Sequence, residues 1–449
     1  MKFASKAALA VALATGMALP VIATPADAAV KQDKDEQKEA PLQVGKEFRE
    51  AAVAAQTALQ SGDTATAKTQ IQTAASLAKT PDEKYFLASL QLPLAAREND
   101  EAMMKTALDA LLASDRVQQA DRAKYNFYRA QIALNEDDNA AAITYLNKSK
   151  QLGYSNPEMP LMLARAQIDS GQIQPGLQSL DEAIAAEKAA GKEVPESQYK
   201  FGWSQAYKAK DMAAATKWLM RWIDAYPTAE NWRQGLVVYR DAISPSAGGL
   251  DKPARLDFFR LMRASDALAG DSDYTEYADL TNRMGLPYET IAVIDQGRAD
   301  GKISSSSSAL NQLYTEAKGA VKNDKSLDAL RKEAMASAKG NLAAQTADAY
   351  LADGQPATAV ELYNTALQKG GVEADVINTR LGIAYAKAGQ TAQAEQAFAK
   401  VNGTGVRGDI ADLWELWLDN RSGAAAGAGT MAGASATTGT TAATQPTGN

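Results

Sequence analysis

The chain repeats one pattern, two helix-like runs separated by a short turn, at intervals of about 35 residues. The clearest copy is LGIAYAKAGQTAQAEQAF, from Leu381 to Phe398, in which the two runs meet at Gly389. A similar turn stands 35 residues earlier, at Gly354. Amphipathic runs that recur on such an interval predict helical hairpins in tandem.

Equivalent residues in the two copies show how such hairpins would pack. Tyr350 and Tyr385 occupy the same place in the first run, and Ala359 and Ala394 occupy the same place in the second. A small residue in the second helix lets the first helix approach closely, while a large apolar residue one turn later fills the seam. Similar turns occur at Gly62, Asn99, Asp137, Gly171, Lys210 and Gly285. Residues 43–421 are therefore predicted to form about ten stacked hairpins, a helical solenoid.

The absence of two residue types limits the chemistry of the chain. Its 449 residues include no cysteine and no histidine, so Ser-His and Cys-His catalysis and thiolate or imidazole zinc sites are excluded. Carboxylates remain, but acidic pairs such as Asp181-Glu182 are interpreted as charges on helix surfaces. Asp271-Ser272-Asp273 lacks the glycine and glutamate of a calcium loop. We predict no catalytic residue, no metal site and no cofactor, and hence no enzyme.

The first 28 residues have the pattern of a secretory signal peptide. Lys2 and Lys6 precede the apolar run 7–19, and the small residues Ala26 and Ala28 follow it. This order predicts cleavage after Ala28 and a location in the periplasm or outside the cell. The charged residues that follow predict a flexible leader over 29–42. No later run supplies the roughly 20 apolar residues of a membrane span.

The quality of the repeat divides the rest of the chain. The predicted segments are N-terminal repeats at 43–230, irregular helical repeats at 231–339, C-terminal repeats at 340–407, a capping helix at 408–421 and a disordered tail at 422–449. In the capping helix, Trp414 and Trp417 are three residues apart and therefore share a face, which predicts that they pack against the last hairpin. The tail consists mainly of Gly, Ala and Thr, from which no core can be built.

The best-defined copy resembles a known family. Its Leu381, Gly382, Tyr385, Ala394 and Phe398 are similar to the pattern of the tetratricopeptide repeat (TPR), whose unit has about 34 residues. The resemblance implies an all-α fold, a right-handed α-α superhelix of TPR-like helical hairpins. It also implies that the N-terminal and C-terminal repeats bind proteins and do not catalyse a reaction.

In such a solenoid the first helices of successive hairpins line a concave groove. First-helix faces without packing residues supply the predicted groove residues, which are Arg97, Lys124, Phe127, Gln131, Arg165, Lys200, Tyr207 and Lys208. Cations and aromatic rings recur there although the net charge is -7, so an acidic peptide, a carboxyl terminus or an anionic glycan would suit the groove. The alternative is that these side chains are ordinary solvated surface.

These observations predict a non-catalytic periplasmic TPR scaffold or adaptor. It would mediate protein–protein interaction in a cell-envelope assembly or export process. The alternative is an envelope polysaccharide or peptidoglycan-associated binding protein, or an accessory subunit of an enzyme. The acidic net charge argues against a nucleic-acid partner, since phosphate binding requires a basic surface.

Overall fold

The computed structural model of the protein describes residues 41–435, with side chains described as far as Arg421. The predicted signal peptide, most of the predicted leader and the last part of the predicted tail lie outside the described residues. Within them the structure has 21 α-helices and no β-strand. This confirms the predicted fold class, an all-α superhelix of TPR-like hairpins. The chain divides into two compact units at Val194 and Pro195. The predicted change from N-terminal repeats to irregular repeats at 230 stays a prediction.

Unit 1 ends at Val194 and contains four helical hairpins. They are α1 (Lys46–Ser61) with α2 (Thr64–Leu77), α3 (Pro81–Glu98) with α4 (Glu101–Ala113), α5 (Gln119–Asn135) with α6 (Asn139–Gln151), and α7 (Met159–Asp169) with α8 (Ile173–Ala189). In each pair the two helices are consecutive in the sequence. Local pairing of this kind is what the period of about 35 residues predicts.

A two-residue signal forms the turns of the first three hairpins. The first helix ends at a residue with a left-handed backbone, which is Gly62, Asn99 or Asp137. An aspartate follows in each case, and its carboxylate accepts a hydrogen bond from a backbone N–H in the first turn of the next helix. The left-handed residue stops one helix and the aspartate caps the next. The turns therefore lie where the sequence pattern placed them.

Glu83 joins the start of α1 to the start of α3. Its carboxylate accepts hydrogen bonds from the backbone N–H groups of Gly45, Lys79 and Thr80 at 2.8–2.9 Å. These donors, together with the Thr80 hydroxyl, lower the pKa of Glu83 to about 2. Nearby, the rings of Phe48 and Phe86 meet edge to face with centroids 6.5 Å apart. One carboxylate thus ties together the ends of two helices beside a shared core.

Unit 2 begins at Pro195 and holds the remaining helices. They are α9 (Glu196–Lys208), α10 (Met212–Ala225), α11 (Ala229–Val238), α12 (Lys252–Ala264), α13 (Gly270–Arg283), α14 (Pro287–Ala299), α15 (Ser308–Asn323), α16 (Leu327–Ala336), α17 (Asn341–Ala352), α18 (Pro356–Lys369), α19 (Ala374–Lys387), α20 (Thr391–Phe398) and α21 (Gly405–Ser435). Hairpins form between α9 and α10, α13 and α14, α17 and α18, and α19 and α20. Their turns contain left-handed residues at Lys210, Gly285, Gly354 and Gly389.

Two parts of unit 2 depart from simple hairpins. A π-helical turn at Tyr239–Ile243 and a 3-10 turn at Ser244–Ala247 separate α11 from α12. Farther along, α15 packs against both α13 and α14, and α16 packs against α17. These irregularities fall within 231–339, the segment in which the sequence repeat is weakest.

The end of unit 2 packs back on its beginning. The last helix, α21, contacts α10 and α12 as well as α19 and α20, and α12 also contacts α19. Trp414 and Trp417 of α21 are buried, as expected for cap packing. The backbone of α21 continues to Ser435, into the segment predicted as a tail.

Candidate functional site

The predicted groove residues of unit 1 fall into different environments. Arg97 is exposed, and its guanidinium donates a hydrogen bond to the carbonyl of Leu59 at 2.6 Å, near the C-terminal end of α1. Phe127 is only 2% exposed and packs against the rings of Tyr128 and Tyr154. Because Phe127 belongs to the core, it is not available to a partner. Arg165 on α7 is partly exposed.

Lys124 and Gln131 share one face of α5. The Lys124 ammonium lies 5.8 Å from the centroid of the Tyr128 ring, four residues along. Gln131 lies three residues beyond Tyr128 and therefore on the same face. It is partly exposed, but its Oε1 atom is buried and accepts no hydrogen bond within the described part of the chain. This face thus carries a partly exposed cation and, two turns farther along, a buried amide oxygen that accepts no hydrogen bond from the described residues.

In unit 2, the predicted groove residues lie on α9. The Lys200 ammonium is 2.9 Å from a carboxylate oxygen of Glu196 and 4.6 Å from the ring centroid of Trp222. Tyr207 is 37% exposed and stacks on Trp203, with centroids 6.0 Å apart. Lys208 is exposed. Lys200 is thus partly exposed and Tyr207 and Lys208 are exposed, and their place in a binding groove stays a prediction.

A buried ion network in unit 2 was not predicted. Asp257 on α12 is 0% exposed. Its carboxylate is 3.3 Å from the Arg260 guanidinium and accepts hydrogen bonds from Arg380 at 3.1 Å and from Arg407 at 2.6 Å. These partners lie on α12, α19 and α21. The network therefore fastens α12 to two helices that follow more than 100 residues later.

Two further carboxylates complete the network. Arg260 donates to Glu289 at 2.6 Å and to Asp348 at 3.1 Å, and Arg380 donates to Asp348 at 2.7 Å. Burial raises the pKa of Glu289, but Arg260, the Tyr277 hydroxyl and Lys387 together lower it to about 2. Three carboxylates thus meet three guanidinium groups, so the network is close to neutral.

Backbone acceptors extend the contact between α12 and α21. The indole N–H of Trp414 donates to the carbonyl of Asp257 at 3.2 Å, and that of Trp417 donates to the carbonyl of Ala264 at 3.1 Å. Before α12, the hydroxyl of Tyr239 in the π-helical turn donates a hydrogen bond to the Asp409 carboxylate of α21 at 2.8 Å. One sequence signal for this arrangement exists, because LDFFRLM in α12 places Asp257 and Arg260, three residues apart and so on one face, between large apolar residues.

Comparisons with known proteins agree with the helical hairpins. Residues 345–404 match the family model described as a tetratricopeptide repeat. None of the curated proteins matches the sequence. Within the described residues, no helix combines the length and the apolar character needed to cross a bilayer.

Several solved structures match this chain at low sequence identity and low TM-score. The structure of Pseudomonas aeruginosa pilF is 15% identical with a TM-score of 0.23, over 42% of this chain and 96% of that chain. The P58(IPK) TPR domain is 13% identical with a TM-score of 0.22, over 83% and 99% of the two chains. Naa15/Naa10 bound to HypK-THB is 16% identical with a TM-score of 0.29, over 82% and 60%. The family match identifies residues 345–404 as tetratricopeptide repeat sequence, and the tandem helical hairpins elsewhere in the described chain have the same helix–turn–helix form.

Proposed function

We propose that the protein is an exported, non-catalytic TPR scaffold that binds a protein or peptide partner in cell-envelope assembly or export. Support for export comes from the signal-peptide pattern of residues 1–28. Support for binding comes from unit 1, whose four hairpins present successive first helices. The observation that carries the proposal is the face of α5 with Lys124 and Gln131.

Gln131 supplies the polar anchor of this surface. A buried polar atom without a hydrogen bond costs about 1–3 kcal/mol, so native proteins rarely leave one unpaired. The terminal torsion of a glutamine is soft, and its rotation would turn the amide toward a backbone N–H of a bound peptide. A bound peptide would thus supply the hydrogen bond that Gln131 Oε1 does not receive from the described residues.

The charge of the same face indicates an acidic partner. Lys124 stands one helical turn before Tyr128 and two turns before Gln131, and Arg165 lies on α7, the first helix of the next hairpin. Hydrogen bonds from cations to a carboxylate are about twice as strong as those between neutral groups. An acidic peptide laid across α5 and α7 would therefore pair its carboxylates with these two cations.

A glycan-binding role is the second candidate, and one feature of α9 favours it. Tyr207 and Trp203 form a stacked aromatic pair that is partly exposed. Such amphipathic rings offer a flat apolar face with polar edges. An envelope polysaccharide or peptidoglycan strand would bind to this pair and not to α5.

Crosslinking from the envelope fraction tests the proposal. The test variant carries Lys124→Glu with Gln131→Leu on α5. The matched control carries Lys148→Glu with Gln151→Leu on α6, the second helix of the same hairpin, where both residues are exposed. The two variants have the same composition and net charge. Circular dichroism and thermal melting confirm that both are folded.

We expect a partner that crosslinks to the wild type and to the control variant, but not to the test variant. The crosslinked peptides, mapped by mass spectrometry, should include α5. Equal recovery with both variants would exclude the face of α5 as the binding surface. Co-sedimentation with purified peptidoglycan that depends on Tyr207 but not on Lys124 would favour the glycan candidate instead.

A further inference from the structure

Unit 2 contains a cavity of about 240 Å³ beside the buried ion network. Its walls come from α12, α13, α14, α19 and α21. Four cationic side chains line it, those of Arg260, Arg263, Lys387 and Arg421, together with aromatic rings that include Trp417. The described lining contains no carboxylate.

Most of this positive charge has no anionic partner in the described structure. Arg260 is neutralised by the carboxylates of the ion network. Arg263, in contrast, donates to neutral acceptors, the Gln296 side chain at 2.5 Å and the Ala292 carbonyl at 3.3 Å. Arg421 lies over the Trp417 ring at 4.9 Å. Three cations, including Lys387, therefore face the cavity without an ion pair among the residues described.

The pKa of Lys387 reports the effect of its burial and of the neighbouring cations. Its side chain is exposed to the cavity but surrounded by protein. Loss of solvation and the nearby Arg263 lower its pKa to about 8, although Glu289 on α14 acts in the opposite direction. Arg260 on the same helix as Arg263 adds to the repulsion. A cluster of like charges that lowers stability is typical of a binding site whose ligand supplies the opposite charge.

The shape of the cavity adds a second requirement. The Trp417 indole N–H is already bonded to a backbone carbonyl, so its ring forms an apolar wall. A second cavity of about 380 Å³ shares Ala264, Trp417 and Arg421 with the first and continues past Trp232 and Pro227. A ligand that fills both cavities would have an anionic end among the cations and an apolar body along Trp417.

We propose that this cavity binds a small organic acid, a carboxylate joined to an aromatic or other apolar body. Lys387, Arg263 and Arg421 pair with the carboxylate, and Trp417 packs against the body. A planar carboxylate suits arginine, which donates two parallel hydrogen bonds. This site is separate from the face of α5, so the proposal does not depend on the proposed scaffold function.

Titration of the full chain with phenylacetate, followed by tryptophan fluorescence and by melting temperature, tests the proposal. We expect saturable quenching and a rise in melting temperature on binding. Phenylacetamide, which has the same body without the charge, should bind at least about tenfold more weakly, the loss expected for one charge-assisted contact. Inorganic phosphate and a short peptide ending in phenylalanine serve as competing probes.

Two variants keep the test independent of misfolding. Lys387→Met should weaken phenylacetate binding about tenfold, yet raise the melting temperature of the unliganded protein because it removes a desolvated charge. Lys400→Met, an exposed lysine just after α20, should leave binding unchanged. A variant with lost affinity and higher stability cannot be explained by unfolding.

Several results would overturn the proposal. Equal binding of phenylacetate and phenylacetamide, or no binding of either, would exclude a carboxylate site. Unchanged affinity of Lys387→Met for phenylacetate would show that phenylacetate does not bind in this cavity. Tighter binding of phosphate than of phenylacetate would show that the site takes a phosphate and not a carboxylate. Tighter binding of the peptide than of phenylacetate would show that it takes a chain terminus and not a small acid.

Discussion

Replacing Asp257 by asparagine should destabilise unit 2 strongly. Asp257 is fully buried and holds guanidinium groups from three helices at 2.6–3.3 Å. Asparagine has the same shape, but it removes the negative charge and directs an NH2 group at a cationic donor. Removal of one partner from a buried ion network typically costs about 3–5 kcal/mol, because the remaining charges are left buried and unpaired.

This free energy converts into a large thermal shift. For a folding unit of this size, each kcal/mol lowers the melting temperature by about 2–4 °C. Asp257→Asn should therefore lower the melting temperature of unit 2 by about 6–20 °C. Thermal and urea denaturation followed by circular dichroism measure the change, and hydrogen exchange locates it in residues 195–435.

An exposed ion pair provides the control. Lys105 and Glu136 are 2.7 Å apart, but their side chains are 38% and 41% exposed. Glu136→Gln should cost no more than about 1 kcal/mol, as surface pairs do. A cost for Asp257→Asn as small as that of this control would show that the ion network does not hold α12 against α19 and α21.

Three further predictions concern single side chains. Gly382→Ala should cost about 1–3 kcal/mol in chemical denaturation, because the added methyl group would overlap with the Phe398 ring. The control Gly319→Ala on α15 meets no atom within 4 Å and should stabilise the protein by about 0.5–1 kcal/mol. Equal effects of the two substitutions would contradict the close packing of α19 on α20. Lys387→Met should raise the melting temperature, and this gain should be largest below pH 8. The gain should shrink between pH 8 and 10.5, because the wild-type lysine loses its proton first in the folded state and then in the unfolded state. A gain independent of pH would show that the charge of Lys387 is not its cause. Glu83→Gln should cost about 1.5–3 kcal/mol of stability near neutral pH. In thermal melts at acid pH, the stability difference between wild type and variant should vanish as the pH falls from 4.5 toward 2, because Glu83 stabilises the fold only while it is ionised. A difference that stays constant with pH would show that the carboxylate charge is not involved.

The local part of this fold could be predicted from the sequence. The turns at Gly62, Asn99, Asp137 and Gly389 all contain left-handed residues, and each separates the two helices of a hairpin. These features depend on neighbouring residues and on a period of about 35, both of which a sequence displays directly. The aspartates that follow three of these turns carry capping information of the same local kind.

The contacts within unit 2 could not be predicted in this way. Asp257 and Arg380 are 123 residues apart, and a repeat pattern identifies only adjacent hairpins. Arg380 stands in a first helix, where a charged side chain is usually interpreted as groove surface. Phe127 is the reverse case. Its position on a first helix predicted a groove residue, but its side chain is buried in the core. Helical period indicates which residues share a face, but not what covers that face.

The contact of α21 with α12 has a consequence for how unit 2 folds. In an open solenoid, repeats can be removed from one end with a roughly additive loss of stability, because each repeat contacts only its neighbours. Here the last helix supplies partners to Asp257 and Ala264 near the start of the unit. Contacts that span 150 and 153 residues predict slow, all-or-none folding of unit 2 that waits for the C-terminal helix to be synthesised. A chain truncated before Gly405 should therefore lose the cooperativity of unit 2 and not merely one repeat of it.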